Sequence, residues 1–456
     1  MTTPSAQSPQ EWQPRRKYAT VLSVGFFESL TFLVSMMLAP CVPQMLASLE
    51  PTGGNKALGA FAISSYILGF TIGILAIAPL AKVYGRAPVL RGSSFGFLIF
   101  TLLCATSRSM GMLIAARILA GCFGGVPMAL GGAVIADVFG PGSRHKATAL
   151  YTQSVMIGPL VGPVLGGAIN EGLGWRWVFW ITSILAGICS LAIFFLLEET
   201  GIASLSENGH DQTTSDSRDC ITVRWPFPSM SGLLSLAATA KELTPPNMAI
   251  TAALLATLVN NGVFNMILVS LGSTVQEQYS FSRTEAGLPY LASGLGCTAG
   301  LCVVPSISRR IKRAKNEHGE CVTPEDSLIL VYYGAPIASA GLLLFGWMVE
   351  YRLLFVIPTI GLFIFGLSSI AVRLSIQIYL MDSRSSHSVS IMAAFATANS
   401  IGGSILPLAI FPLYERLDYG YGNMIIAGVE LGLGLLPLFC STSMFRRWPC
   451  SRSYIG

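Results

Sequence analysis

Apolar runs separated by shorter polar ones recur along the whole chain, at 18–43, 58–80, 92–106, 111–138, 147–169 and 177–197, and again at 248–272, 286–308, 328–349, 353–380, 389–413 and 424–445. Each has about the length of the roughly 20 residues that an α-helix needs to cross a bilayer. The pattern predicts an all-α membrane protein with twelve transmembrane helices in two six-helix bundles. Polar sequence sets the boundaries: a tail at 1–17, a first bundle at 18–197, a linker at 198–247, a second bundle at 248–445 and a tail at 446–456. The linker is rich in Ser, Thr, Asp and Glu, with an amphipathic piece at 230–243. The first tail ends Arg15-Arg16-Lys17 and lacks the short apolar core and small-residue site of a cleaved leader, so the first span is expected to act as the targeting signal.

The fifth apolar run holds the densest pattern, GPLVGPVLGG at 158–167. Gly158, Gly162 and Gly166 are four apart, which puts them on one helix face where a neighbouring backbone can lie close. In water this Pro and Gly content would make a loop. In hydrocarbon the backbone groups must be satisfied within a helix, so a kinked, close-packing span is expected.

Composition agrees with a polytopic membrane protein: 52% of residues are apolar and 11% charged, and mean hydropathy is +0.62. Charge sets the orientation. Of 28 Lys and Arg, only Lys56, Arg108, Arg176, Arg283, Arg352 and Arg416 fall in alternate, outer loops, and Arg117 and Arg373 lie within spans. The rest fall on the other side, which predicts cytosolic termini and an even number of spans. The basic cluster 309–315 is expected in an inner loop, touching anionic lipid and not nucleic acid. The ten cysteines lack a metal-type CxxC pair and His145, His210, His318 and His387 lie outside the apolar runs, so no metal or cofactor is expected. With no HExxH, GxSxG or GxxxxGK[ST] pattern, neither an enzyme nor an ATP-driven pump is expected.

Gly158, Gly162, Pro163, Gly166 and Gly167 match the gxxxGPxxGG pattern on the fifth span of proton antiporters of the major facilitator superfamily. With GWRWVFW at 174–180, the chain most resembles the fungal twelve-span drug:proton antiporters over nearly its whole length. RILAG at 117–121 is similar to the family's fourth-span RxxxG, which implies a role for Arg117 in coupling protons to substrate near a central cavity. APLAKVYGRAP at 78–88 resembles the inner-gate loop, with Gly85 and Arg86 in place but Lys82 where the family has a carboxylate. That departure removes the usual gate charge and leaves Arg86 and Arg91 to pair with Asp137 at the inner end of span four.

The residues on their own terms add candidates. An ionisable side chain in hydrocarbon costs at least ~2.5 to 3.5 kcal/mol on insertion scales, which singles out Glu28, Arg117 and Glu430. Glu28, Arg117 and Asp137 are candidates for proton coupling; substrate preference or a buried hydrogen bond for Glu28, snorkelling to the outer interface or a static pairing for Arg117, and a static pairing for Glu430 are the alternatives. Tyr66, Gln153, Asn261, Asn265, Arg373, Gln377 and Asn399 are candidates to line a substrate cavity, although amides also serve as glue between helices. Arg117 with Arg373, Asp137 with Asp382, and the fifth-span motif with Gly402, Gly403 and Pro407 hint at duplicated halves. The expectation is a plasma-membrane secondary transporter that exports an amphiphilic small organic molecule against inward proton flow. A proton-coupled importer on the same fold and a non-transporting receptor are the alternatives.

Overall fold

The computed structural model describes residues 12–50, 56–139, 141–199, 248–317, 324–383 and 388–445. The linker call lies almost wholly outside them, as do the C-terminal tail, most of the N-terminal tail and the side chains of Lys82, Gln153 and Asp382. Among the described residues 92% are helical and no strand occurs.

The first half contains α1 Pro14–Met37, α2 Val42–Leu49, α3 Lys56–Ile72, α4 Ala81–Tyr84, α5 Arg86–Ala105, α6 Met110–Gly124, α7 Val126–Val138, α8 Pro141–Gly172 and α9 Trp175–Leu196. The second contains α10 Met248–Tyr279, α11 Leu288–Glu317, α12 Ile329–Glu350, α13 Val356–Ser383, α14 Ser388–Ile405, α15 Ile410–Gly434 and α16 Leu436–Phe445. Among the described residues ten segments are long and apolar enough to cross a membrane, and one of them, Ala394–Cys440, has 47 residues, enough to cross twice. Reading it as two spans and adding α8 accounts for the twelve expected.

Several spans are not the simple rods that their apolar runs predict. The first run ends α1 at Met37, passes through a 3₁₀ turn at Ala39–Cys41 and continues into α2, because Pro40 and Pro43 interrupt the backbone ladder. The fourth run breaks at Gly125, with Pro127 in the first turn of α7. The basic cluster 309–315 belongs to the end of α11 and not to a loop, which corrects its placement. Lys and Arg are good helix formers, and cations suit a helix C-terminus. Lys315 there pairs with Asp326.

The chain forms two compact units. The described residues of one fall within 1–37, 65–162 and 173–234; those of the other fall within 38–64, 163–172 and 235–456. In the first unit, α5 packs against α6 and α9, and α1 against α7 and α9. Its core joins Phe27, Tyr66, Leu90, Phe97, Val134 and Cys189, with the rings of Phe27 and Phe97 edge to face at 5.7 Å. Ile184, Ile188, Leu191 and Phe195 form an exposed stripe along α9, a surface made for lipid. In the second unit, α13 packs on α11 and α12, and α10 on α14 and α15.

Candidate functional site

Two polar constellations occupy the membrane-spanning region, one in each unit. In the first, Arg117 on α6 is completely buried. Its Nη1 donates to the Val34 carbonyl at 3.2 Å, and its guanidinium carbon lies 4.8 Å from the centre of the Tyr66 ring and 6.0 Å from that of Phe179. Carbonyl and aromatic faces are what a desolvated guanidinium accepts in place of water. Tyr66, also fully buried, donates its hydroxyl to the Thr31 carbonyl at 3.1 Å, and Thr31 Oγ1 donates to the Glu28 carbonyl at 2.7 Å. Arg117 and Glu28 are thus linked through Tyr66 and one turn of α1.

The Glu28 carboxyl, 5% exposed, receives the Tyr151 hydroxyl of α8. The sequence reading does not single out Tyr151. The available signal is its spacing: 151, 154, 158 and 162 fall on one helical face. A side chain added at Gly158 would run into the Ser29 carbonyl, and a Cβ at Gly162 would lie 3.0 Å from the Leu33 carbonyl. The small-residue face of α8 therefore lies directly on α1, on the stretch that carries Glu28. Farther along α8, in the second unit, Gly167 meets the Arg283 carbonyl, Cys41 Sγ is 3.6 Å from the Gly166 carbonyl, and Pro163 and Val164 crowd Gly287. Glu171 closes that end by accepting from Thr284 N at 2.9 Å and Thr284 Oγ1 at 2.5 Å. These bonds hold its carboxyl below the usual carboxylate range.

At the other end of the first unit, Arg86 pairs with Asp137, as the sequence allows, whereas Arg91 reaches the Leu197 carbonyl instead. A carboxylate from another part of the chain lies beside this loop. Glu199, just past α9, accepts from the backbone amides of Arg86 at 3.0 Å and Ala87 at 3.1 Å, capping α5 where the helix dipole favours negative charge. Gly85, with φ +88, makes room, since a Cβ there would stand 2.5 Å from the Glu199 carboxylate. The 78–88 loop thus meets a carboxylate from a position that its own motif does not contain.

In the second unit, Arg373 on α13 donates Nη1 to Asn261 Oδ1 at 3.1 Å. Asn261 Nδ2 donates to the Asn399 carbonyl at 2.7 Å, and Asn265 Nδ2 donates to the Asn261 carbonyl at 2.9 Å. Three helices, α10, α13 and α14, thereby bring together four of the seven cavity candidates. Gln377, one turn past Arg373, is half-buried; Tyr66 belongs to the Arg117 constellation, and the Gln153 side chain lies outside the described residues. Glu430 on α15 is buried and accepts from Asn260 Nδ2 at 2.6 Å, the static pairing that was its alternative reading.

A helical bundle with paired, sparsely charged polar clusters at membrane depth defines a polytopic carrier. The Major Facilitator Superfamily model matches residues 24–407, and the chain belongs to that family, whose fold is the twelve-helix type. It is 31% identical over 438 residues to the efflux pump radE of Floropilus chiversii, covering 94% of this chain and 80% of that one. It is 32% identical over 432 residues to the MFS-type transporter tndD of Aspergillus flavipes, covering 91% and 79%. Among solved structures, the partially occluded inward-open xylose transporter XylE from E. coli aligns with TM-score 0.66 at 13% identity, covering 97% of this chain and all of that one. The protein is a multi-pass membrane transporter and not an enzyme.

Proposed function

We propose that the protein exports an amphiphilic small organic compound across the plasma membrane by alternating access, in exchange for protons that move inward. The termini and the 198–247 linker then face the cytosol, and 18–197 and 248–445 are the two moving bundles. The observation that carries this reading is the Glu28 carboxyl held by Tyr151 on the same face of α8 that presses Gly158 and Gly162 onto α1. A movement of α8 along α1 changes what surrounds that carboxyl, and a buried acid whose surroundings change gains or loses a proton. Arg117, tied to the same turn of α1 through Tyr66, is in a position to feel the change.

Export is supported by the likeness to the efflux pump radE. The few charges and many aromatic residues favour a moderately apolar cargo. The energetics suffice: one proton through ~100 mV contributes ~2.3 kcal/mol and one pH unit ~1.4, together enough for a gradient of several hundred-fold. The test is untargeted mass spectrometry of small molecules inside and outside the native host, with and without this gene. A compound that accumulates inside on loss of the gene supports export and names the cargo. One that stays outside replaces export by import, and no difference under any growth condition moves the reading to a receptor.

A further inference from the structure

Arg373 poses a question that Arg117 does not. Arg117 is sealed among carbonyl and aromatic groups. Arg373 is only partly buried, and among the described residues its hydrogen bond is to the neutral Asn261 side chain and no carboxylate pairs with it. Glu430, a buried carboxylate of the same unit, accepts instead from Asn260 through Oε1. A guanidinium at membrane depth without a counter-charge is costly, and such a group marks a place where an anion is to arrive. A second observation falls in the same cluster. Asn399 donates Nδ2 to the Phe395 carbonyl, and its Oδ1 is buried without a hydrogen-bond donor. Buried polar atoms left open by the protein call for a water or a ligand. Asn261 bridges the two, accepting from Arg373 and donating to the Asn399 backbone carbonyl, so the guanidinium and the open amide oxygen belong to one cluster. Phe264, between Asn261 and Asn265 in sequence, stacks at a tilt with Phe365 at 5.9 Å and offers apolar surface on the same pair of helices.

We infer that the exported compound is an organic anion whose acidic group binds the Arg373 guanidinium, with Asn261 holding that guanidinium in place and Asn399 Oδ1 accepting from a hydroxyl or N–H of the same molecule. The inference rests on the export reading for its biological sense, but not for its test, which measures binding alone. The Arg fork suits a carboxylate, an enolate or an acidic phenolate because two parallel N–H groups meet two oxygens or one delocalised charge.

The experiment uses the full chain in nanodiscs, with 2-naphthoate and its neutral match 2-naphthamide as probes, measured by equilibrium dialysis against empty nanodiscs. Wild type binds the acid at least about tenfold more tightly than the amide. Arg373→Gln weakens the acid far more than the amide and brings the two to equal affinity, and Arg373→Lys keeps part of the preference. Asn399→Asp, which adds a carboxylate to the same cluster, weakens the acid more than the amide, and its unfolding temperature controls for damage to the bundle. Equal binding of acid and amide by wild type, no binding of either, or an acid preference that survives Arg373→Gln each overturns the inference. None of these outcomes touches proton coupling or direction, so export can stand if the anion site falls.

Discussion

Glu28 and Tyr151 show what a single contact adds to a sequence. A carboxylate in the first span is conspicuous from its cost in hydrocarbon, but its partner is a tyrosine 123 residues away, and nothing local marks that tyrosine except its place on the glycine face. Glu199 was missed for a different reason. It stands at the edge of a polar stretch that reads as linker, so its capping of α5 becomes visible only when α9 returns the chain to Gly85. Charge type and depth were legible; pairings across elements were not, because they depend on helix rotation that apolar periodicity does not specify. Glu28→Gln tests the first contact. The amide keeps the shape and a hydrogen bond to Tyr151 but binds no proton at working pH. Uptake into inverted vesicles driven by a pH gradient is expected to fall at least about tenfold, while exchange of labelled for unlabelled cargo, which moves no net protons, persists. Unchanged pH-driven uptake would take the proton away from Glu28.

The helix pairs carry the next level. Gly158 lies against Ser29 of α1 with no room for a side chain, and Gly162 against Leu33 with room for little more than a methyl, so Gly162→Leu pushes α8 off α1. Overpacking of this kind costs about 1–3 kcal/mol; transport is expected to fall more than tenfold, with Gly162→Ala much milder because the Leu33 carbonyl needs to give way only slightly. Full activity of Gly162→Leu in the vesicle assay would mean that the glycine face is not a working interface. The far end of the same helix has its own device, Glu171 on Thr284. Because the folded carboxyl titrates below its ordinary value of 4.5, the contact contributes fully above that value and is lost only as pH falls through the lower, folded one. Hydrogen exchange at the Thr284 amide, corrected for its intrinsic rate, is therefore expected to stay constant from pH 7 to pH 5 in wild type. In Glu171→Gln it should rise at pH 7. Deprotection of the wild type by pH 5 would place the bond elsewhere. At this scale the sequence was a good guide to where helices lie and a poor one to where they end: Pro40, Gly125 and the basic tail of α11 all fall where a count of apolar residues runs past a break or stops short of one.

For the whole molecule the consequence of an anionic cargo is electrical. Exchanging one outbound neutral molecule for one inbound proton moves one positive charge inward, whereas exchanging an outbound monoanion for the same proton moves two. The membrane potential then acts twice: ~100 mV contributes ~4.6 instead of ~2.3 kcal/mol, and the accumulation ratio at stall steepens from one decade to two per ~59 mV. Both predictions use the same one-proton stoichiometry, so the slope separates them without knowing the pH term. In proteoliposomes with a potassium diffusion potential set by valinomycin and a fixed pH difference, 2-naphthoate flux is expected to reverse along a line of about two decades per ~59 mV, and a neutral cargo along one. A slope of one decade for the acid would mean that it travels protonated, which leaves the Arg373 guanidinium without a charge to meet. A slope of two that collapses in Arg373→Gln while neutral cargo still moves would tie the charge carried by the molecule to the α13 guanidinium that faces the Asn261 amide.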